Sequence, residues 1–366
     1  MDENRQALRK EGVRVIRSAG HPNSIQLIAY AQEGKPDKRT GKLASSFHKQ
    51  YGLASAEDLE DFRDSLKADL ESEVSRFGRA CSAFVASNEN LIGAQDDDVA
   101  RLGALLKSLF DEVTIIAYLR RQDEFSVSKY SSELKSGSSK TMLETMEKHK
   151  NVHYLKYDTA LDRWASVFGR ENVVPRIFAK DRLQNGDVVF DFCAAANIPL
   201  GETMNLPARR NVSLSSRAQR FFRQYNEKHP ISLSRMNKVT RGKLYAVLSE
   251  NYPGPSEQPD RQQVESYLSY FAESNSSLSE KWFGGQGGGF SNDLSKYERP
   301  NSDEMDSVED EVHGIDLAYW LLREWQTSLD EQSARLKAKT AKSKGDGRKN
   351  RRIVWQEVEV EKAEKE

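Results

Sequence analysis

The feature that most constrains the fold is a nearly uninterrupted apolar run at 113–119, Val-Thr-Ile-Ile-Ala-Tyr-Leu, which ends at two arginines. β-Branched and aromatic side chains favour strands, and an apolar run without alternation is typical of a parallel strand covered on both faces. Residues with helical spacing flank the run, at 99–109 and from about 123 to 135. The run therefore predicts a buried strand between two helices.

The same alternation of strand and helix recurs on both sides of this run. Shorter strand patterns lie at 83–86 and 173–178, and helical patterns at 57–77, 161–168 and 188–196. Pro175 predicts an edge position or the start of its strand, because proline cannot donate to a ladder. Strands and helices of these lengths predict βαβ units and an α/β sheet. Beyond Pro207 the pattern is mainly helical, with helices predicted over 218–225, 264–271 and 308–329.

We accordingly expect three regions along the chain. An α/β core covers 1–206, and a mainly helical continuation of the same domain covers 207–334. A charged tail covers 335–366, because nine of the eighteen residues from Arg335 to Arg352 are Lys or Arg. Such a segment has little to bury and is predicted to be disordered.

Composition excludes several classes of protein. The chain has 55 Lys and Arg against 56 Asp and Glu, which excludes a globally basic nucleic-acid binder. The chain has two cysteines, Cys81 and Cys193, which is too few for a disulfide scaffold or a cysteine-based zinc site. Two free thiols indicate that the protein lies in a reducing cytoplasm. The sequence has no run of about 20 apolar residues, so no membrane-spanning helix is predicted. The first residues also lack the apolar region of an ordinary signal peptide.

The end of the 113–119 strand is where we expect a ligand. In open α/β sheets ligands collect at the carboxyl ends of strands, and there Arg120 precedes the start of a helix. A guanidinium beside free helical N–H groups makes an anion site, and the Ser128 hydroxyl follows within two helical turns. The alternative is that Arg120 and Arg121 are surface charges paired with Asp123 and Glu124.

This stretch resembles the 3′-phosphate-binding motif of sulfotransferases, in which a strand ends in Arg, a Ser follows eight residues later, and an aromatic residue comes two further on. Arg120, Ser128 and Tyr130 match that pattern, although Arg121-Gln122 stands where Asn-Pro is common. The Arg-Arg-Gln-Asp version is similar to a bacterial branch of sulfotransferase-like proteins. Segments that resemble this branch in pattern alone are 87–90, 163–172, 187–192, 211–215 and Asn275 with 282–284.

The resemblance implies a P-loop-like three-layer parallel sheet flanked by helices, with a mainly helical C-terminal half. It also implies transfer of a sulfuryl group from 3′-phosphoadenosine-5′-phosphosulfate (PAPS) to a hydroxyl of a carbohydrate or similar acceptor. Arg120 and Ser128 would then bind the 3′-phosphate of this cofactor.

One part of the sulfotransferase pattern is absent. The Gly-rich loop with a Lys that binds the 5′-phosphosulfate has no match, because Gly34 and Gly41 are too far apart and Leu43 follows Lys42. The first residues resemble the helix that should follow such a loop. We expect the loop to be encoded upstream; alternatively, the protein is a degenerate, non-catalytic nucleotide- or anion-binding homologue.

Glu89 is the candidate general base, since it directly follows the 83–86 strand and could face the same cleft. A helix-capping or loop-holding role is equally compatible with its position.

His21 and His48 are weaker candidates, while His149 and His153 have helical spacing but no acidic or Cys partner nearby for a metal site. Trp164 and Phe168 are interpreted as core, as are Trp320 and Trp325, although exposed aromatic side chains could instead bind sugar. A third possibility is an interaction protein whose basic tail binds acidic partners, although no feature predicts specific nucleic-acid recognition.

Overall fold

The computed structural model describes residues 4–20, 23–35, 45–199, 214–230, 235–285 and 288–298, and five positions between 325 and 333. The chain divides into two units, Met1–Ser302 and Asp303–Glu366, and every element below belongs to the first. The predicted helix at 308–329 lies almost wholly outside the described residues, and the predicted tail at 335–366 lies wholly outside them.

Strands and helices alternate in the first part of the chain, and helices alone follow. The strands are β1 Val13–Val15, β2 Ala83–Val85, β3 Ile115–Leu119 and β4 Val173–Ile177. The helices are α1 Arg5–Lys10, α2 Gln26–Ala31, α3 Ser46–Gln50, α4 Ala56–Phe77, α5 Asp96–Leu109, α6 Gln122–Lys135, α7 Met142–Lys150, α8 Tyr157–Phe168, α9 Val188–Ala195, α10 Ser216–Lys228, α11 Arg235–Asn251, α12 Arg261–Ser269 and α13 Ala272–Trp282. The predicted α/β class, with a helical second half, is confirmed for the described residues.

The strands form two parallel pairs. β1 pairs with β2, with Val13 opposite Ala83, and β3 pairs with β4, with Ile115 opposite Val173. Within the described residues these pairs belong to two separate two-stranded sheets, where the sequence predicted one continuous sheet. The parallel arrangement was predicted from the apolar run; which strand edges meet depends on contacts distant in sequence.

Pro175 lies on an edge strand, as its chemistry requires. The Phe178 amide donates to the Leu119 carbonyl at 2.7 Å, so alternate amides of β4 face β3. The Pro175 nitrogen therefore lies on the opposite edge, where its missing N–H costs no ladder bond. Within the described residues β4 has β3 as its one partner strand.

Helix α9 packs across both strand pairs. Its Cys193 is buried in a cluster with Val13 of β1, and its Val189 and Phe192 pack against the same cluster. On the other pair, its fully buried Asp191 accepts hydrogen bonds from Tyr118 of β3 and Arg176 of β4. One helix thus holds the two pairs together.

The three-residue strand β1 was not predicted, although Val13 and Val15 have strand propensity. Hydrogen bonds from α4 hold this strand in place. The buried Glu73 carboxylate of α4 accepts hydrogen bonds from the Arg14 side chain and from the backbone amides of Arg17 and Ser18. The α4 helix itself begins where predicted, with a reciprocal capping box between Ser55 and Asp58.

Candidate functional site

Arg120 lies between the end of β3 and the first turn of α6. Its guanidinium carbon is 4.4 Å from the centroid of the Phe178 ring, within the range of a cation–π contact. No ion pair or hydrogen bond of this guanidinium is found among the described residues. Burial lowers the pKa of Arg120, and the Glu124 charge partly opposes that effect. A half-buried guanidinium keeps its full charge here and is available to an anion.

Ser128 lies on α6 and is exposed to the same cavity as Arg120. The cavity has a volume of about 750 Å³, within the ordinary range of small-molecule sites. The described lining comes from α6, from α11 and the loop after it, and from the 288–298 segment: Arg120, Glu124, Val127, Ser128, Ser131, Ser132, Lys135, Tyr245, Ala246, Ser249, Glu250, Ser256, Gln258, Lys296 and Tyr297. The structure therefore brings the two predicted anion-binding residues together in one cavity.

Arg121 differs from its neighbour because it is buried and fully paired. Its Nε and Nη2 donate to the two carboxylate oxygens of Asp123 at 2.8 and 2.9 Å. Burial alone would raise the pKa of Asp123, but hydrogen bonds from Arg121 and Tyr297 lower it below its usual value. Pairing with an acid, the alternative considered for both arginines, thus describes Arg121 and not Arg120.

The Arg121–Asp123 pair also holds the 288–298 segment against α6. Arg121 Nη1 donates to the carbonyls of Ser291 and Asp293 at 2.6 and 2.8 Å. The Tyr297 hydroxyl donates to Asp123 at 2.6 Å, and beside it Lys296 bonds Glu124 at 2.6 Å. This segment consequently forms one wall of the cavity.

A second exposed cation lies at the far end of α6. The ammonium of Lys135 is 4.6 Å from the centroid of the Tyr245 ring on α11. Lys135 was not predicted as a site residue, although its spacing of seven from Ser128 places both on one helix face. Nothing local in the sequence indicated Tyr245, Lys296 or Phe178, since each comes from a distant part of the chain.

Glu89 begins a 3₁₀ helix, Glu89–Gly93, directly after β2, and its side chain is exposed. It is not among the residues that line the Arg120 cavity. Burial raises the pKa of Tyr154, and the nearby Glu89 charge raises it further. The role of Glu89 as a base stays a prediction.

The histidine candidates have separate environments. His48 is fully buried, and its Nε2 lies 2.9 Å from the Ala29 carbonyl, which is the position of a core residue; His21 lies outside the described residues. His149 Nδ1 lies 2.9 Å from the Ser126 hydroxyl, whereas His153 is exposed and lies near Gln95. Because Ser126 is fully buried, its contact with His149 cannot serve an external substrate. Trp164 and Phe168 stack in the core, as interpreted, whereas Trp325, also interpreted as core, is exposed, and Trp320 lies outside the described residues.

Gln122 and Asn275, two residues in the segments that resemble sulfotransferases, are in contact in the structure. The side-chain amides of Gln122 and Asn275 bond each other reciprocally, at 2.8 and 3.1 Å, which joins α6 to α13. Gln122 also donates to the Leu155 carbonyl, so its fully buried amide is satisfied. These residues position α6, while most of the 211–215 segment lies outside the described residues.

Among the described residues no cluster of three or more His, Cys, Asp or Glu side chains could hold a metal ion. No helix in the described part of the chain is long and apolar enough to span a bilayer.

Comparison with known proteins gives one distant similarity. The chain is 28% identical over 201 residues to an uncharacterized protein of Archaeoglobus fulgidus, an alignment that covers 55% of this chain and 54% of that protein. The chain thus spans about half the length of this relative. No protein-family model matches the chain, and no solved structure matches it.

Proposed function

We propose that the protein is a sulfotransferase-like enzyme that binds PAPS and transfers its sulfuryl group to a hydroxyl of a carbohydrate or similar acceptor. The observation that carries the proposal is the Arg120 guanidinium, which forms no ion pair or hydrogen bond among the described residues and opens into a cavity beside Ser128. Arginine is well suited to bidentate binding of phosphate. The cytoplasm is the compartment we propose, because both cysteines are free thiols.

The proposed fold of this enzyme is a single P-loop-like sheet that contains both strand pairs. Its support is α9, which packs on the β1–β2 pair and bonds the β3–β4 pair. In such a sheet the carboxyl ends of all strands share one edge, which would place Arg120 and Glu89 at that edge.

The residues present fit the 3′-phosphate of the cofactor. Arg120 supplies a fixed cation and Ser128 a hydroxyl that has no hydrogen-bond partner among the described residues. When bound, PAPS would supply an activated sulfuryl group for transfer to the acceptor oxygen; adenosine 3′,5′-bisphosphate would be the leaving group, and the acceptor proton would pass to a base. Arg120 and Ser128 hold the nucleotide in position, and Glu89 is proposed as that base.

Calorimetric titration with adenosine 3′,5′-bisphosphate and with 5′-AMP tests the anion site. The wild type should bind the bisphosphate more tightly, and Arg120→Ala should weaken that binding about 10- to 100-fold, the value of a charged hydrogen bond. Ser128→Ala should weaken it by less. Arg170→Ala is the matched control, because it removes an exposed guanidinium stacked on Trp282 at 3.9 Å, away from the cavity. Equal affinities of Arg120→Ala and wild type for both nucleotides would reject the assignment.

The same observation favours a narrower second function, nucleotide or anion binding without transfer. Incubation with radiolabelled PAPS and a set of oligosaccharides separates the two. Incorporation of label that Glu89→Gln abolishes, without a change in bisphosphate affinity, supports the enzyme and its base. Tight nucleotide binding with no incorporation supports the binding protein.

A further inference from the structure

The cavity contains a second cation whose charge is not neutralised. Lys135 is the last residue of α6, and within the described residues its ammonium contacts the Tyr245 ring and no carboxylate. Glu250 lines the same cavity but forms no ion pair with it. A cation–π contact orients an ammonium without cancelling its charge.

Lys135 lies on the same face of α6 as the predicted anion site. Ser128, Ser132 and Lys135 have the spacing i, i+4 and i+7 and all line the cavity. With a rise of about 1.5 Å per residue, Lys135 is about 10 Å along the helix axis from Ser128. The third cation of the described lining, Lys296, differs because Glu124 at 2.6 Å neutralises it.

The position of Lys135 is fixed by packing on the opposite wall. The Tyr245 ring meets the buried Phe222 ring edge-to-face at a centroid distance of 5.8 Å. Because Phe222 holds Tyr245, the ring offers a fixed surface for the ammonium. The cavity thus presents two separated positive charges, Arg120 and Lys135, each placed on an aromatic ring.

The lining between these charges is suited to a polyhydroxyl compound. Hydroxyl and amide groups dominate it, namely Ser128, Ser131, Ser132, Ser249, Ser256 and Gln258. Both tyrosine rings of the lining carry a lysine ammonium, Lys135 on Tyr245 and Lys296 on Tyr297. Neither ring is therefore free as the stacking platform on which single-stranded nucleic-acid binding depends.

We propose that Lys135 is a second anion contact and that the acceptor is an acidic oligosaccharide, whose carboxylate or sulfate binds this ammonium. The inference rests on the proposed function for the occupant of the first contact, the 3′-phosphate at Arg120 and Ser128. An acidic sugar can form an ion pair with Lys135 and hydrogen bonds with the side chains along α6. A neutral sugar can form only the hydrogen bonds.

Calorimetric titration of the full-length protein with tetragalacturonic acid, maltotetraose and a tetraglutamate peptide tests this proposal. The wild type should bind the acidic tetrasaccharide most tightly. Lys135→Met should weaken that binding about tenfold, or about 1.4 kcal/mol, and Lys135→Arg should restore most of it. Lys140→Met is the control, since Lys140 is exposed beyond the end of α6 and does not line the cavity.

Equal affinity of wild type and Lys135→Met for tetragalacturonic acid would overturn the proposal, as would maltotetraose binding as tightly. Tetraglutamate binding that is equally tight and dependent on Lys135 would identify an acidic peptide as the ligand instead. Adenosine 3′,5′-bisphosphate separates this proposal from the first, because Lys135→Met should leave its affinity unchanged. If Arg120→Ala also leaves the affinity for adenosine 3′,5′-bisphosphate unchanged, while Lys135→Met weakens binding of the acidic tetrasaccharide, only the proposed function fails.

Discussion

The Arg120 guanidinium lies over the Phe178 ring, with 4.4 Å between the guanidinium carbon and the ring centroid. Phe178 follows β4 directly, and its amide donates to Leu119, the residue before Arg120. The ladder between the two strands therefore sets the position of both side chains. A cation held in this way is oriented for a ligand and still carries its charge.

Replacing Phe178 with leucine should weaken nucleotide binding without unfolding the protein. The aliphatic side chain fills part of the space but loses the cation–π contact, which is worth about 0.5–1 kcal/mol at a partly exposed site. We expect the dissociation constant for adenosine 3′,5′-bisphosphate to rise about two- to fivefold in calorimetry. An unchanged constant, with an unchanged circular dichroism spectrum, would show that the ring does not orient Arg120.

Removing the charge of Asp123 should destabilise the protein strongly. In Asp123→Asn the buried Arg121 guanidinium loses its counter-charge, and breaking a buried pair costs about 3–5 kcal/mol. Urea denaturation measures the free energy of unfolding. Glu124→Gln is the matched control, because its pair with Lys296 is more exposed and should contribute at most about 1 kcal/mol. Equal losses in the two variants would contradict this assignment.

Asp191 should make stability depend on acid pH. The Arg176 guanidinium lowers the pKa of Asp191 to about 2, against the effect of burial, and Gln184 and Tyr118 contribute further hydrogen bonds. A carboxylate with a lowered pKa stabilises the fold above its unfolded pKa and loses that effect as pH falls through the folded value. Between about pH 4 and pH 2 the wild type should lose about 2 kcal/mol more than Asp191→Asn, measured by urea denaturation. Parallel curves would be inconsistent with an ionised Asp191.

His149 should make the stability of the fold depend on pH near neutrality. Burial lowers the pKa of His149, and the Glu133 carboxylate only partly opposes this. The fold therefore favours the neutral ring more than the unfolded chain does, so the stability that His149 contributes is complete above an unfolded pKa of about 6.5 and is lost as pH falls below it. The melting temperature of the wild type should drop on acidification from about pH 7 to pH 5. His149→Gln should reduce this drop, and an equal drop in this variant and the wild type would contradict the assignment.

Much of the local structure could be predicted from the sequence. The predicted helix at 57–77 and the predicted strands at 83–86, 113–119 and 173–178 each correspond to an element of the structure. These elements and the edge position of Pro175 follow from side-chain spacing and backbone chemistry. The structure places Arg120, at the end of β3, and Ser128, on α6, in one cavity, and anion binding by these two residues stays a prediction. The three-residue strand β1 carried too short a pattern to be recognised.

The sequence by itself determined many of the strands and helices, because these depend on neighbours within a few residues, and it predicted an anion site at Arg120 and Ser128. Only the tertiary structure decided that Arg121 is paired and Arg120 is not, since Asp123 and the carbonyls of Ser291 and Asp293 converge on the Arg121 guanidinium from two distant parts of the chain. It likewise placed Lys135 on Tyr245, more than a hundred residues away. Charge is a property of composition, but whether a charge is free for a ligand depends on which side chains the packed elements bring beside it.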